Sequence, residues 1–314
     1  MSKTGPGKER APRNRTLAVR AAEATELKNA VVLSTDDLKP ASVHNRVICG
    51  DAFQVLPSLE KDVFDLLFCD PPYNLDKDFG KERFTRTSND EYEAWLDSWI
   101  GLCVPLLKST ASIYICGDWR SSSAIQRIGT KHFKLQNRIT WEREKGRGAK
   151  RNWKNAAEDV WFFTVSDKFT FNLKAVKQRR RVIAPYKENG KPKDWNETTD
   201  GNFRDTHPSN IWTDITVPFW SMPENTDHPT QKPEKLLAKV ILASSNPGDL
   251  ILDPFAGSGT TAVVAKKLGR DFLAIESDEN FCLLAAKRLE LADTDKSIQG
   301  FSDGVFWERN SKPL

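Results

Sequence analysis

Phe64-Asp65-Leu66-Leu67-Phe68-Cys69-Asp70-Pro71-Pro72-Tyr73 decides how this chain is read. Its first six residues form an apolar run of buried-strand length. An acid, two rigid residues and an aromatic ring then stand where the strand ends. In open α/β sheets that edge is where ligands bind. The two prolines fix φ and remove two N–H donors, so the carbonyls of Asp70 and Pro71 are expected to point outward as acceptors. A carboxylate beside a carbonyl suits an amino group with two hydrogens to donate. Tyr73 adds a flat face on which a planar base can stack. In isolation the stretch is better read as a strand closed by a proline turn, with the Asp as a cap. The rest of the sequence reverses that preference.

Immediately upstream, residues 46–49 read as a strand, Gly50-Asp51 as a turn and residues 52–59 as a short helix. Strand, helix, strand is the rhythm of a parallel sheet, and it sets Asp51 at a strand's C-terminal end as well. Downstream, residues 74–90 read as a polar loop over the site. Helical spacing through Tyr92, Trp95, Leu96, Trp99 and Leu102 follows, then strands at 111–116 and 135–141. Residues 159–165 and 168–172 read as a strand pair, a hairpin closing one sheet edge. Between the 135–141 strand and that pair, residues 142–154 carry Arg143, Lys145, Arg147, Lys150, Arg151 and Lys154.

From 173 to 226 the apolar periodicity is lost. Lys177, Arg179, Arg180, Arg181, Lys187, Lys191 and Lys193 crowd together, interleaved with Tyr186 and Trp195. The stretch reads as an insertion outside the sheet. A solvated loop is the bland reading; a basic, aromatic-bearing insertion beside a catalytic sheet points instead to an anionic polymer. Beyond it, 234–244 is helical and 250–252 a buried strand. Asp253-Pro254-Phe255-Ala256-Gly257-Ser258-Gly259-Thr260-Thr261 comes next, then a helix that stops at Gly269, a usual residue beyond a helix end. The strand at 272–275 ends on Glu276, and 279–291 is a helix. Two close glycines let backbone approach a ligand, and an acid at the next strand tip is where ribose hydroxyls are gripped. The full dinucleotide fingerprint is missing, because Ala262 holds its third glycine position. A nucleoside without a pyrophosphate fits better, and S-adenosylmethionine is one.

The chain has 314 residues, enough for one or two domains, with 47 Lys+Arg against 43 Asp+Glu, a net charge of only +4. Where the charge clusters therefore matters more than its sum. Five cysteines form no CxxC and sit mostly in apolar runs, which predicts reduced core thiols in a cytoplasmic protein. Four scattered histidines show no zinc spacing, so no metal is expected. No apolar stretch has membrane-spanning length, and no signal-peptide pattern opens the chain. Residues 1–20 read as a basic, disordered arm, and 21–42 carry only weak patterns; together 1–42 form an N-terminal arm.

DPPY at 70–73, His228-Pro229-Thr230-Gln231-Lys232-Pro233 and FAGSG at 255–259, in that order, resemble the beta class of amino-group DNA methyltransferases of restriction-modification type. The resemblance covers roughly residues 45–292 of the chain. It implies an α/β fold: a seven-stranded, Rossmann-like methyltransferase sheet, circularly permuted, with the 250–252 strand beside the 64–69 strand. Residues 43–172 and 227–314 would form the catalytic domain and 173–226 an inserted target-recognition segment. Asp70, Pro71, Pro72 and Tyr73 would be catalytic. Asp51, Ala52, His228, Thr230, Gln231, Lys232, Asp253, Phe255, Gly257, Ser258, Gly259, Thr260, Thr261 and Glu276 would hold S-adenosylmethionine, with Lys232 opposite its carboxylate. Arg147, Lys150, Arg151, Lys177, Arg179, Arg180 and Arg181 would contact double-stranded DNA. A homodimer and a cognate restriction endonuclease stay open as partners.

The chemistry implied is direct transfer of a methyl group to the exocyclic N6 of a flipped adenine. Hydrogen bonds to Asp70 and the Pro71 carbonyl would free the amine's lone pair and stabilise the charge that builds on it. Tyr73 would stack the base, with Trp141 a weaker choice for the opposite wall. No cysteine follows a proline, so the nucleophile of ring-carbon cytosine enzymes is missing. Methylation of cytosine N4 is the alternative within the class; Asp rather than Ser opening the tetrapeptide favours adenine. A non-catalytic DNA-binding protein, or an enzyme acting on RNA or a protein amide, are the others. One departure stands out. The family's Asn-x-His-Glu becomes Asn155-Ala156-Ala157-Glu158 here, so any support from that histidine is absent.

Overall fold

The computed structural model describes residues 13–32, 43–78, 83–143, 151–182, 186–198 and 201–309. Its frame is a nine-stranded sheet. Seven strands carry the site: β1 (Arg46–Cys49), β2 (Phe64–Cys69), β3 (Leu107–Gly117), β4 (Lys134–Glu142), β5 (Ala157–Thr164), β6 (Leu250–Asp253) and β7 (Asp271–Glu276). They lie in the order β1-β7-β6-β2-β3-β5-β4. The other two strands, Val31–Val32 and Ile211–Trp212, are two-residue stubs at the edges. The seven between them match the implied number. All pairings are parallel except those of β5, which runs antiparallel to both β3 and β4.

The burial pattern explains the strand sequences. In β2, Leu66 and Phe68 join one core, shared with helices α5 (Glu234–Ser244), α6 (Thr260–Lys267) and α7 (Glu279–Thr294). Phe64, Leu67 and Cys69 join a second core on the other face, shared with α2 (Ala52–Val55), α3 (Asn89–Cys103) and α4 (Ser122–His132). A strand covered on both faces has no polar side, which is why 64–69 reads as a continuous apolar run. Helix α3 starts at a capping box in which Ser88 and Glu91 satisfy each other's backbone N–H groups. It buries Tyr92, Leu96, Trp99, Ile100 and Cys103.

The central prediction of neighbourhood holds: β6 pairs with β2 in parallel, Ile251 opposite Leu66 and Leu252 opposite Leu67. Three other expectations need correction. β5 pairs with β3 and β4, and residues 168–172 form no strand, so the expected hairpin does not exist. The partner strand lay earlier in the chain, where local pattern gives no hint of it. Second, the 173–226 segment is not wholly outside the sheet, since Ile211–Trp212 extends it beside β4. Its strands Gln178–Arg181, Gly201–Thr206 and Asn196–Thr198 build a separate five-stranded sheet, completed by Phe301–Ser302 and Val305–Trp307 from the chain's last stretch. Third, part of the basic arm is ordered: Arg15 N–H donates to the Trp220 carbonyl (2.6 Å) and Leu17 N–H to that of Asn225 (2.8 Å). Helix α1 (Ala21–Lys28) follows, in a stretch the sequence left unplaced. Residues 1–12 lie outside the described residues.

Candidate active site

Because β6 and β2 are neighbours, their C-terminal ends bring Asp253 and Asp70 to one edge of the sheet. A cavity of about 390 Å³ opens there. It is lined from six places in the chain: Gly50–Phe53 after β1, Asp70–Tyr73 and Leu75 after β2, Trp95 of α3, His228 and Thr230–Lys232 ahead of α5, Asp253–Ser258 with Thr260 and Thr261, and Glu276–Asp278 after β7 with Phe281. Of the residues expected to act on the base or hold the cofactor, all but Gly259 reach this one cavity.

The Asp70–Tyr73 tetrapeptide is held from several sides. Tyr92 of α3 donates its hydroxyl to the Pro72 carbonyl (3.1 Å), and the Asn74 amide donates to Ser121 Oγ (3.3 Å). Among the described residues the Pro71 carbonyl accepts no hydrogen bond. Asp70 is fully engaged. Its Oδ1 accepts from the Tyr73 hydroxyl (2.7 Å) and its Oδ2 from Lys232 Nζ (2.5 Å). Lys232 also donates to the Tyr73 oxygen (3.2 Å) and lies 3.4 Å from Glu158 Oε2. Burial by itself would lower the Lys232 ammonium, but the carboxylates of Asp70 and Glu158 outweigh it and hold the group above its ordinary range. Burial pushes the Tyr73 hydroxyl well up, and the same two carboxylates push it further. Tyr73 is thus a neutral donor clamped to Asp70. Lys232, expected opposite a cofactor carboxylate, forms an ion pair with Asp70.

The glycine loop shows what its residues are for. Asp253 accepts from the Phe255 amide (3.1 Å) and from Thr261 Oγ1 (2.5 Å), closing the strand-to-helix turn. Burial pushes its carboxyl up to about 7, against those two hydrogen bonds. Gly257, at φ 53°, donates its N–H to Glu276 Oε2 (2.8 Å). A Cβ on it would stand 2.8 Å from His228 Nε2. Gly259, at φ 74°, caps α6, and its Cβ would meet Ala285 Cβ of α7 at 2.5 Å. The first glycine therefore makes room for the histidine and the second for helix packing. Glu276 also accepts the Asp278 amide (2.9 Å), and Asp51 caps α2 by accepting from Phe53 (2.9 Å). Gln231 is spent internally: it accepts from the Thr226 amide (2.9 Å) and hydroxyl (2.7 Å) and donates to the Glu224 carbonyl (2.7 Å).

Trp141 is not a wall of the cavity. It is buried beneath the sheet edge and donates its indole N–H to the Ile215 carbonyl (3.0 Å). Phe255 finds its aromatic neighbours in α3 instead, Trp95 at 5.9 Å and Trp99 at 5.4 Å between centroids. Sequence reasoning missed Trp95, Phe281 and Glu158. Trp95 and Phe281 read as ordinary helix-face aromatics, and Glu158 as the residue before a strand. Of the expected DNA contacts, Arg147 and Lys150 lie outside the described residues. Arg179 makes a two-pronged bond to Asp205 (2.7 and 2.8 Å), and Arg180 lies 3.4 Å from Glu308. Arg151 and Arg181 are exposed, and Lys177 is half-buried. No helix among the described residues is long and apolar enough to cross a membrane.

Residues 64–287 match the family model for DNA methylases, N6_N4_Mtase. The chain is 35% identical over 262 residues to the type II methyltransferase M.HpaI of Haemophilus parainfluenzae, covering 82% of this chain and 76% of that protein. It is 35% identical over 253 residues to the DNA adenine methyltransferase YhdJ of Escherichia coli K12, covering 78% and 83%. Among solved structures, the PvuII DNA methyltransferase (cytosine-N4-specific) superposes with a TM-score of 0.60 at 19% identity, over 82% of this chain and 88% of that one. The M1.HpyAVI–SAM complex does so with 0.53 at 24% identity, over 77% and 98%. At those identities the structural likeness shows the fold.

Proposed function

From the premise that this chain belongs to the DNA methylase family, we propose how its site works: Asp70 and the Pro71 carbonyl grip the N6 amine of a flipped adenine and align it for direct methyl transfer. The protein is a DNA methyltransferase acting on adenine N6 with S-adenosylmethionine as methyl donor. One observation carries the residue assignment: Asp70 and the glycine loop, 183 positions apart at Asp253, open onto the same 390 Å³ cavity.

The residues present suit a nucleoside with an amino-acid tail. Glu276 and Asp51 put carboxylates at two strand ends, where ribose hydroxyls and an adenine amine find acceptors. His228, Thr230 and Ser258 give the opposite end polar neighbours. When bound, the donor supplies a methyl group already activated on a sulfonium. The chain's own task is alignment and charge. Asp70 accepts from the target amine and stabilises the positive charge that grows on it. The Pro71 carbonyl takes the second N–H. Tyr73 keeps the carboxylate oriented, and Tyr92 and Ser121 keep the turn from moving. Arg151 and Arg181, both exposed, and the half-buried Lys177 would supply positive charge for DNA phosphates.

Incubating the protein with duplex DNA and labelled S-adenosylmethionine, then digesting to nucleosides for mass spectrometry, tests the reading. N6-methyladenosine is the expected product. N4-methylcytosine would overturn the base assignment, and an unlabelled digest would overturn the activity.

A further inference from the structure

Glu158 lies on β5, opposite Trp141 of β4, and points into the molecule behind Asp70. It is 5% exposed. Arg143 Nη1 donates to its Oε1. Its Oε2 accepts no hydrogen bond and stands 3.4 Å from Lys232 Nζ, itself 2.5 Å from Asp70 Oδ2. The buried ammonium therefore sits between two carboxylates, one at the reaction centre and one with an oxygen to spare.

We infer that Lys232 is a movable counter-ion, and that Glu158 is the positioning residue that draws it off Asp70 when the target amine docks. Asp70 has both oxygens engaged before any base arrives, Oδ1 by Tyr73 and Oδ2 by Lys232. The amine becomes cationic as the methyl group reaches it, and an ammonium left on the same carboxylate would repel it. A buried lysine cannot move into water without breaking its packing. Glu158 Oε2 is an unused acceptor only 3.4 Å from Lys232 Nζ. Arg143 holds the other oxygen of Glu158 and fixes its direction. The net charge of the cluster is unchanged when the lysine passes from one acid to the other. The neutral amine turns cationic only as it takes the methyl group, and the sulfonium leaves as a neutral thioether. One N–H proton is then released, with Asp70 as the adjacent acceptor. The remaining titratable neighbours do not compete. Burial raises the Tyr73 hydroxyl and the Cys116 thiol well above their usual ranges, and Asp253, which faces Asp70 from β6, is engaged by Thr261.

The inference rests on the reading of this cavity as a DNA-methylating site, and one set of measurements separates the two. Single-turnover methyl transfer to duplex DNA is followed at saturating S-adenosylmethionine over roughly pH 5 to 9, alongside cofactor and DNA affinities. Glu158→Gln keeps the shape and removes the charge. Its transfer rate should fall about tenfold or more while both affinities stay within about twofold. Lys232→Met leaves two buried carboxylates facing each other, so the acid limb of its rate profile should move to higher pH. Combining the two substitutions removes that confrontation. The limb should move back, and the double variant should transfer faster than Lys232→Met alone, a rescue that lost packing cannot produce. Should Glu158→Gln fail to fold, Glu158→Asp serves; its shorter carboxylate falls short of Lys232 and should be similarly slowed. Wild-type rates in the Glu158 variants, or a double variant no faster than Lys232→Met, overturn the inference. A wild-type protein that transfers nothing to DNA overturns the underlying reading instead.

Discussion

Asp70 and Asp253 end neighbouring strands, yet they meet opposite surroundings. Asp70 is matched by a cation and a hydroxyl, so it is built to accept. Asp70→Ala removes the acceptor and leaves Lys232 with Glu158; transfer should drop by at least about a thousandfold, with cofactor affinity, read by calorimetry, nearly unchanged. Asp253 has no cation, and burial pushes it up to about 7. An unfolded Asp ionises near pH 3.9. Between about pH 4 and pH 7 the native chain thus holds a proton that the unfolded chain has released, and stability falls as pH rises through that window. Asn is the neutral isostere. Asp253→Asn should flatten that slope and melt about 2–4 °C higher than wild type at pH 8, in thermal scans of the ligand-free protein. Much at this scale was legible in the sequence. Asp51, Asp70 and Glu276 stand at strand ends, and strand ends can be read from apolar runs. Lys232 could be placed near the site but not assigned to Asp70, since which carboxylate a lysine meets depends on contacts 162 positions apart.

Among the elements, α4 poses a contest of magnitudes. Gly129 sits inside that helix, where Ala is ordinarily better by about 1 kcal/mol. Here a Cβ would stand 2.4 Å from Cζ of the buried Phe163 on β5. Overpacking of that kind costs about 1–3 kcal/mol, so Gly129→Ala should lower the denaturant midpoint rather than raise it. The strand Gln178–Arg181 sorts its own charges. Arg179 is tied to Asp205, which lowers the Asp205 carboxyl and raises the guanidinium. Neutralising Lys177 and Arg181 should reduce the salt slope of DNA binding by up to about 2. Arg179→Gln should leave that slope alone and lower the melting temperature. Longer elements were readable because periodicity needs length. The β5 pairing was not, because an antiparallel partner reached across residues 143–156 leaves no local mark. Two-residue strands such as Ile211–Trp212 fall below what any pattern can register.

At the scale of the molecule, the motif order announced a permuted sheet, and the β6–β2 junction bears that out. The last stretch gave no comparable signal: Val305–Trp307 is short, and its partner Gln178–Arg181 lies in a region without periodicity. Its contribution is nonetheless structural. Phe306 is fully buried, and the Trp307 carbonyl accepts from Lys235, whose other bonds hold Asp214. Deleting residues 301–314 should cost at least about 3 kcal/mol for the lost aromatic alone, seen as a lower melting temperature. Cofactor titration in the cold should survive, since no residue of that stretch lines the cavity at Asp70.

The chain order also dictates a schedule. A ribosome delivers Asp70 early, but the wall that faces it begins at Asp253 and runs to Phe281. Any nascent polypeptide shorter than that has a pocket with one side missing, and β2 stands with a bare flank where β6 will dock. On the proposed reading of this cavity, half-made copies would neither hold the donor nor methylate DNA, and the exposed flank during synthesis is where help from a chaperone would be needed.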